Sequence, residues 1–244
     1  MEYLSRNDLE RIANRVLREY WMLPEAQTTF QRVQPEVFVT CLLGLRIDYR
    51  HLSPDRNTQG TTSYGDLEVG VYDRADEEYY LLDGNTILIE EDLLVPEMAG
   101  RRHFSIAHEG CHHVLNRTFP GSYSGGENVS RALNYCTKPA RNGPPDWEEW
   151  QANNMASMIL MPRGLLFRDM RLCGINGPIP ILNRLGRVED FKKFSRLAEM
   201  LGVSQQALAI RMKQYGLIGK DYLQNPYEIL NIEYEEYENG RMQN

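Results

Sequence analysis

The chain has 244 residues, 42% hydrophobic and 25% charged, the make-up of a soluble globular protein of one or two domains that can bury a core without disulfide staples. Twenty-seven basic residues against 34 acidic ones give a net charge of −7, which argues against bulk binding of nucleic acid through its phosphates. No run approaches the roughly 18 apolar residues of a membrane helix. The charged opening MEYLSRNDLERIANRVLREY lacks the apolar stretch of a secretory signal, so Cys41, Cys111, Cys136 and Cys173, with no CxxC pair, read as reduced thiols of a cytoplasmic protein.

Leu9, Ile12, Ala13, Val16 and Leu17 fall at helical spacing and predict a helix over Asp8–Tyr20 with one buried stripe. Pro35 opens a second apolar run, PEVFVTCLLGLRI, in which Val37, Cys41, Leu42 and Leu45 could share one face of a core helix. Between residues 60 and 95 the chain becomes rich in Val, Ile, Thr and Tyr. Turn signals around Arg74–Asp76 and at Asp83-Gly84-Asn85 predict two or three antiparallel strands joined by hairpins.

Helical spacing returns from His103 to Asn116. The Gly-, Pro- and Asn-rich stretch from Asn116 to Asp146 reads as a functional covering segment, with a short helix around Val129–Tyr135. Ala152, Met155, Ala156 and Ile159 then place an amphipathic helix that Pro162 ends, with Met155, Met158 and Met161 as core filling. Two more helices meet at Gly202-Val203-Ser204, where Ser204 is a good N-cap. Residues 191–220 hold six basic side chains and one acidic one, whereas EYEEYE near the end reads as a solvated tail.

The sharpest chemical feature is His108-Glu109-Gly110-Cys111-His112, an HExxH. On a helix the two His lie one turn apart on one face and can share a metal ion, with Glu109 beside them to take a proton from water. Zinc lowers the pKa of a coordinated water toward about 7 and polarises a carbonyl, so the pattern points to amide hydrolysis. A third ligand is needed. Leu115 and Thr118 stand where an extended HExxHxxGxxH motif would be completed, so that route fails. Glu148 and Glu149 are the carboxylates of the next strong helix, and helical geometry alone does not choose between them. Cys111 turns away from the His pair, and His113 points about a quarter turn from His112, toward a structural or solvent-facing place.

FSIAHEGCHHVL followed by EWQANNMASMILMP resembles the ImmA/IrrE family of metallopeptidases, in which an AHE-x-x-H helix precedes a Glu-x-x-Ala-Asn helix running into Leu-Met-Pro. The resemblance implies an α+β, zincin-like core: a small antiparallel or mixed sheet with an HExxH helix and a second ligand helix. It implies Zn2+ held by His108, His112 and Glu149, with Glu109 as general base. It also implies a protein substrate, a helix-turn-helix repressor encoded nearby, whose cleavage relieves repression in mobile elements or stress responses. Cys111 and Met155 depart from the family pattern at packing positions, and the insert between the motifs is long. The organisation expected is a helical lead-in (1–58), the metallopeptidase core (59–186), a helical subdomain like a helix-turn-helix (187–222) and an acidic tail (223–244). An extended substrate is expected to add to an exposed strand near Thr86–Ile89.

Two other readings compete. The C-terminal helix pair could bind DNA itself, with Arg211 and Lys213 as its strongest phosphate ligands, although packing or partner docking explains it more simply. Alternatively, the metal only senses or stabilises, and the protein is a non-proteolytic regulator.

Overall fold

The computed structural model describes residues 4–27, 32–73, 76–120, 130–133 and 147–230. The architecture is mixed α+β, built on a four-stranded sheet and two two-stranded ones.

The first helix forms where the apolar spacing places it. In α1 (Arg6–Tyr20) the Ser5 hydroxyl accepts the Asp8 N–H, and the Asp8 carboxylate accepts the Ser5 N–H, closing a capping box. Leu9, Ala13, Leu17 and Tyr20 are its buried stripe. The short helices α2 (Pro24–Gln27) and α3 (Pro35–Val37) follow, and α3 continues into a π-helical turn over Phe38–Leu42. This corrects the expected face. The wider turn sends Phe38 and Val39 fully into the core and leaves Cys41 exposed. The helical stretch also ends early, because Arg46–Arg50 leaves it to form strand β1.

Strands β2 (Thr58–Thr62), β3 (Asp66–Asp73), β4 (Asp76–Asp83) and β5 (Thr86–Glu90) make four where two or three were expected. β1 pairs in parallel with β5, which pairs antiparallel with β2. β6 (Ser130–Leu133) completes the order β1-β5-β2-β6 by pairing antiparallel with β2. A strand therefore stands where a helix around Val129–Tyr135 was expected. The open N–H and C=O row of β2 supplies it with a ladder that no local pattern announces. Residues 129, 134 and 135 lie outside the described residues, as does the end of the acidic tail from 231 onward. All five residues of β5 are buried. β3 and β4 form a separate hairpin seated on its own small cluster of Leu52, Val69, Val71, Leu82 and Leu88.

Helix α4 (Ala99–Thr118) lies against the sheet, and its residues 104–115 are all buried. At roughly 1.5–3 kcal/mol for each fully buried Ile or Leu, Ile106 and Leu115 anchor it firmly. Helix α5 (Trp147–Leu160) packs on both α4 and α1. Its Ala152, Met155, Ala156 and Ile159 are wholly enclosed, and Met158 and Met161 fill the same core. After α6 (Arg163–Leu172), strand β7 (Ile179–Leu182) pairs in parallel with β8 (Ile218–Asp221). Between them stand α7 (Val188–Leu201) and α8 (Gln205–Gln214). Gly202 joins these two helices at φ 67°, a left-handed conformation that suits glycine, and the Ser204 hydroxyl accepts the Ala207 N–H at 3.1 Å.

One hydrophobic cluster runs from Leu4 to Ile218, and the Tyr215 hydroxyl donates to Glu10 at 3.2 Å. Among the described residues, no helix is long and apolar enough to cross a membrane. Of the two cations named for phosphate binding, Arg211 is buried, donates to the Tyr215 hydroxyl at 2.7 Å and lies over the Tyr215 ring, while Lys213 is paired with Asp221. Arg211, named from the sequence as a candidate phosphate ligand, is thus enclosed, and its guanidinium is a packing element.

Candidate metal centre

The i, i+4 spacing on α4 sets His108 and His112 one above the other, with Nε2 to Nε2 at 3.0 Å. Glu149 comes in from the first turn of α5. Its two carboxylate oxygens lie 3.2 Å from His108 Nε2 and 3.2 Å from His112 Nε2. The two-helix convergence that the motif pair implies is thus present, and Glu149, the second of the two candidate carboxylates, closes it.

The two imidazole nitrogens lie 3.0 Å apart, and each meets a different oxygen of the Glu149 carboxylate at 3.2 Å, so the three side chains converge on one point. A tetrahedral ion with ligands about 2.0–2.1 Å away has ligand–ligand edges of about 3.3 Å. The donor set of two imidazoles and one carboxylate is also one that zinc accepts in hydrolytic sites, with a fourth position left over. These residues can therefore hold a metal ion.

The electrostatics follow from burial. Both imidazoles are enclosed, and burial holds the His112 pKa below its usual value, favouring the neutral ring that ligates a metal. Burial alone would raise the Glu149 carboxyl, but its hydrogen bonds to His108 and His112 win and bring it well below the carboxylate range.

Glu109 is fully buried, and neither carboxylate oxygen finds a hydrogen-bond partner among the described residues. Burial first, and then the charge of Glu149, pushes its pKa well above that of an ordinary glutamate. An unpaired carboxyl in this position costs several kcal/mol of folding stability. A packed core has no use for it, whereas a proton acceptor beside a metal does.

The other residues of the motif have plain roles. Cys111 is enclosed in the hydrophobic core, with its thiol pKa pushed up by burial. His113 is buried rather than solvent-facing. It is hydrogen-bonded to the Thr62 hydroxyl at 2.7 Å and held neutral by burial, with its pKa lowered to about 4. That bond ties α4 to the end of β2.

Two contributors are invisible in the sequence. Gly60 sits on β2 directly against Glu109: a Cβ there would stand 2.6 Å from Oε1 and 3.0 Å from Cγ. Since Glu109 has no exposed surface, its carboxylate would have to swing. Gly60→Ala is expected to keep the fold and the metal, because alanine suits a strand at least as well as glycine. It should move the Glu109 carboxylate by about 1 Å, and any reaction in which that carboxylate takes part should slow by roughly 10²-fold. Metal analysis and steady-state rates on the same preparation check this.

The second contributor is Tyr64, just beyond β2, whose ring meets His113 edge-on at 5.6 Å. Burial and the charges of Glu109, Glu148 and Glu149 push its hydroxyl pKa upward, so it keeps its proton.

A second cluster, His51, Glu90 and Asp92, differs in kind. His51 Nδ1 meets Glu90 at 2.6 Å, and the Arg56 guanidinium stands 3.8–3.9 Å from both carboxylates, so a protein cation already faces them.

A scan against protein-family models and a search of curated proteins found no match for the chain.

Proposed function

We propose that this protein is a zinc-dependent endopeptidase with a zincin-like core, akin to the ImmA/IrrE metallopeptidases, and that it cuts one peptide bond in a helix-turn-helix repressor. The observation that carries the reading is the buried carboxylate of Glu109, without a partner among the described residues and one position along α4 from a two-His, one-Glu donor triangle. A site that only stabilised or sensed a metal would gain nothing from that carboxylate and would lose folding stability to it. The burial of Arg211 likewise supports packing over DNA contact for the C-terminal helices.

In this reading His108, His112 and Glu149 hold the ion. Bound zinc supplies a water of lowered pKa and an electrophile for the scissile carbonyl. Glu109 takes the proton of the attacking water and hands it to the leaving amide nitrogen, the work for which its raised pKa suits it. The protonated Tyr64 hydroxyl donates to the carbonyl oxygen as negative charge develops there.

An extended substrate does not enter at β5, as the position of Thr86–Ile89 suggested. β5 is flanked by β1 and β2, so its hydrogen-bonding edges are occupied. The edge on the Glu109 side belongs to β6, next to β2.

The test is direct. Zinc-loaded protein is incubated with the helix-turn-helix repressor encoded beside it, and intact masses are followed. Two complementary fragments are expected, abolished by a chelator and restored by zinc. A repressor that stays whole under all three conditions refutes the reading.

A further inference from the structure

The β3–β4 hairpin rises from the rim of the candidate site, since β3 begins at Asp66, two residues after Tyr64. At eight residues per strand it reaches roughly 25 Å. Alternation gives it two faces. Val69, Val71 and Leu82 point inward onto their small cluster. The opposite face carries Tyr72, Tyr79 and Leu81, and the last two are 71% and 66% exposed. Strand register sets Glu68 across from Leu81 and Glu77 across from Tyr72, and Asp66 continues the same face. Among the described residues, none of these three carboxylates forms an ion pair. Over the whole hairpin, residues 66–83 contain seven acidic side chains and one basic one.

Two large exposed side chains standing among carboxylates that have no ion-pair partner among the described residues are not an ordinary solvated strand; here the Tyr72 hydroxyl donates a hydrogen bond to Glu77. A strand that merely faced water would alternate apolar-in with polar-out. An anionic ring also excludes nucleic acid and acidic protein from this surface.

We infer that the outer face of the β3–β4 hairpin is a docking arm for a basic protein surface, which it holds through Tyr79 and Leu81 and steers with Asp66, Glu68 and Glu77. The inference rests on the peptidase reading only for what the docking serves: the arm would seize a Lys/Arg-rich substrate at a distance and raise its local concentration at Glu109. Affinity would come from the two anchors, association rate from the carboxylates.

The experiment measures binding without requiring cleavage. The probe is a fluorescein-labelled 16-residue peptide of alternating Lys and Leu, with a Glu/Leu peptide and a labelled DNA duplex as comparisons. Anisotropy is read on the full chain at low and at high salt. The Lys/Leu probe is expected to bind, and its affinity should fall roughly tenfold or more in Tyr79→Ser/Leu81→Ser and in Glu68→Lys/Glu77→Lys. It should weaken with salt in the unaltered protein. Glu235→Lys/Glu236→Lys, the same charge change placed in the acidic tail, should alter it less than twofold. The residues changed on the arm are exposed, so far-UV dichroism and metal content should match the unaltered protein.

Equal losses in the arm and tail variants, no binding of the Lys/Leu probe, or preference for the Glu/Leu peptide or the duplex each overturns the docking arm. Arm-dependent binding with no cleavage of any repressor leaves the arm standing and removes the peptidase reading. Cleavage of the repressor that is unaffected by both arm variants does the reverse.

Discussion

Glu109→Gln is expected to leave one metal ion per chain while lowering peptide cleavage by roughly 10²–10⁴-fold, the usual contribution of a positioned general base. The amide has nearly the size of the carboxylate, so the pocket between Gly60 and α4 stays filled. What disappears is the proton acceptor. The donor triangle of His108, His112 and Glu149 does not include Glu109, so metal content should not change. The variant should also be more stable toward urea near neutral pH. A group whose folded pKa is raised destabilises the fold once pH exceeds its unfolded value, and Gln removes that penalty. Metal analysis, cleavage rate and urea midpoint on one preparation decide the matter. Unchanged cleavage would assign the general base elsewhere, and lost metal would place Glu109 among the ligands.

Glu149→Ala is expected to do the opposite, with metal lost first and activity lost as a consequence. The carboxylate touches both imidazoles at 3.2 Å and is the only anion in the triangle. Its removal leaves two imidazoles and no anionic ligand to balance a divalent cation. The affinity loss should exceed the roughly 10–100-fold cost of deleting an outer partner of a metal ligand. His108→Ala should behave alike from the other helix. In the unaltered protein, added zinc should raise the melting temperature, as any ligand of the folded state does, and in both variants that rise should vanish. Retention of full metal affinity by Glu149→Ala would mean that another side chain completes the cage.

Much of this site was legible before any coordinates. The HExxH spacing brings two imidazoles to one face by helical geometry alone, and the apolar stripe of α1 is a local property of Leu9–Leu17, whereas its Ser5 capping box was not read from the sequence. The pairing of Glu149 with the two His was legible only through the resemblance to a motif pair. Glu148 and Glu149 are both near the start of α5, and the packing of that helix on α4 decides between them.

What was not legible is non-local. β6 exists because β2 offers it an edge, and β1 because β5 does. The π-helical turn shifts which residues face the core, so Phe38 and Val39 are buried where Cys41 was expected. Arg211 looked like a surface cation, but beside Tyr215, one turn along its own helix, its environment comes from Met161 and Glu10, which lie on other parts of the chain. Gly60 and Tyr64 carry no diagnostic spacing, because their importance arises only where β2 passes Glu109.

The bond from Tyr215 to Glu10 carries a consequence for the protein's birth. Residues so distant along the chain share one core, and α5, which brings Glu149, rests on α1. Contacts of such long sequence separation form late. A nascent chain still on the ribosome would hold both halves of the metal cage before the C-terminal helices arrive to clamp them. The candidate metal centre would thus be completed only after synthesis of the last helices.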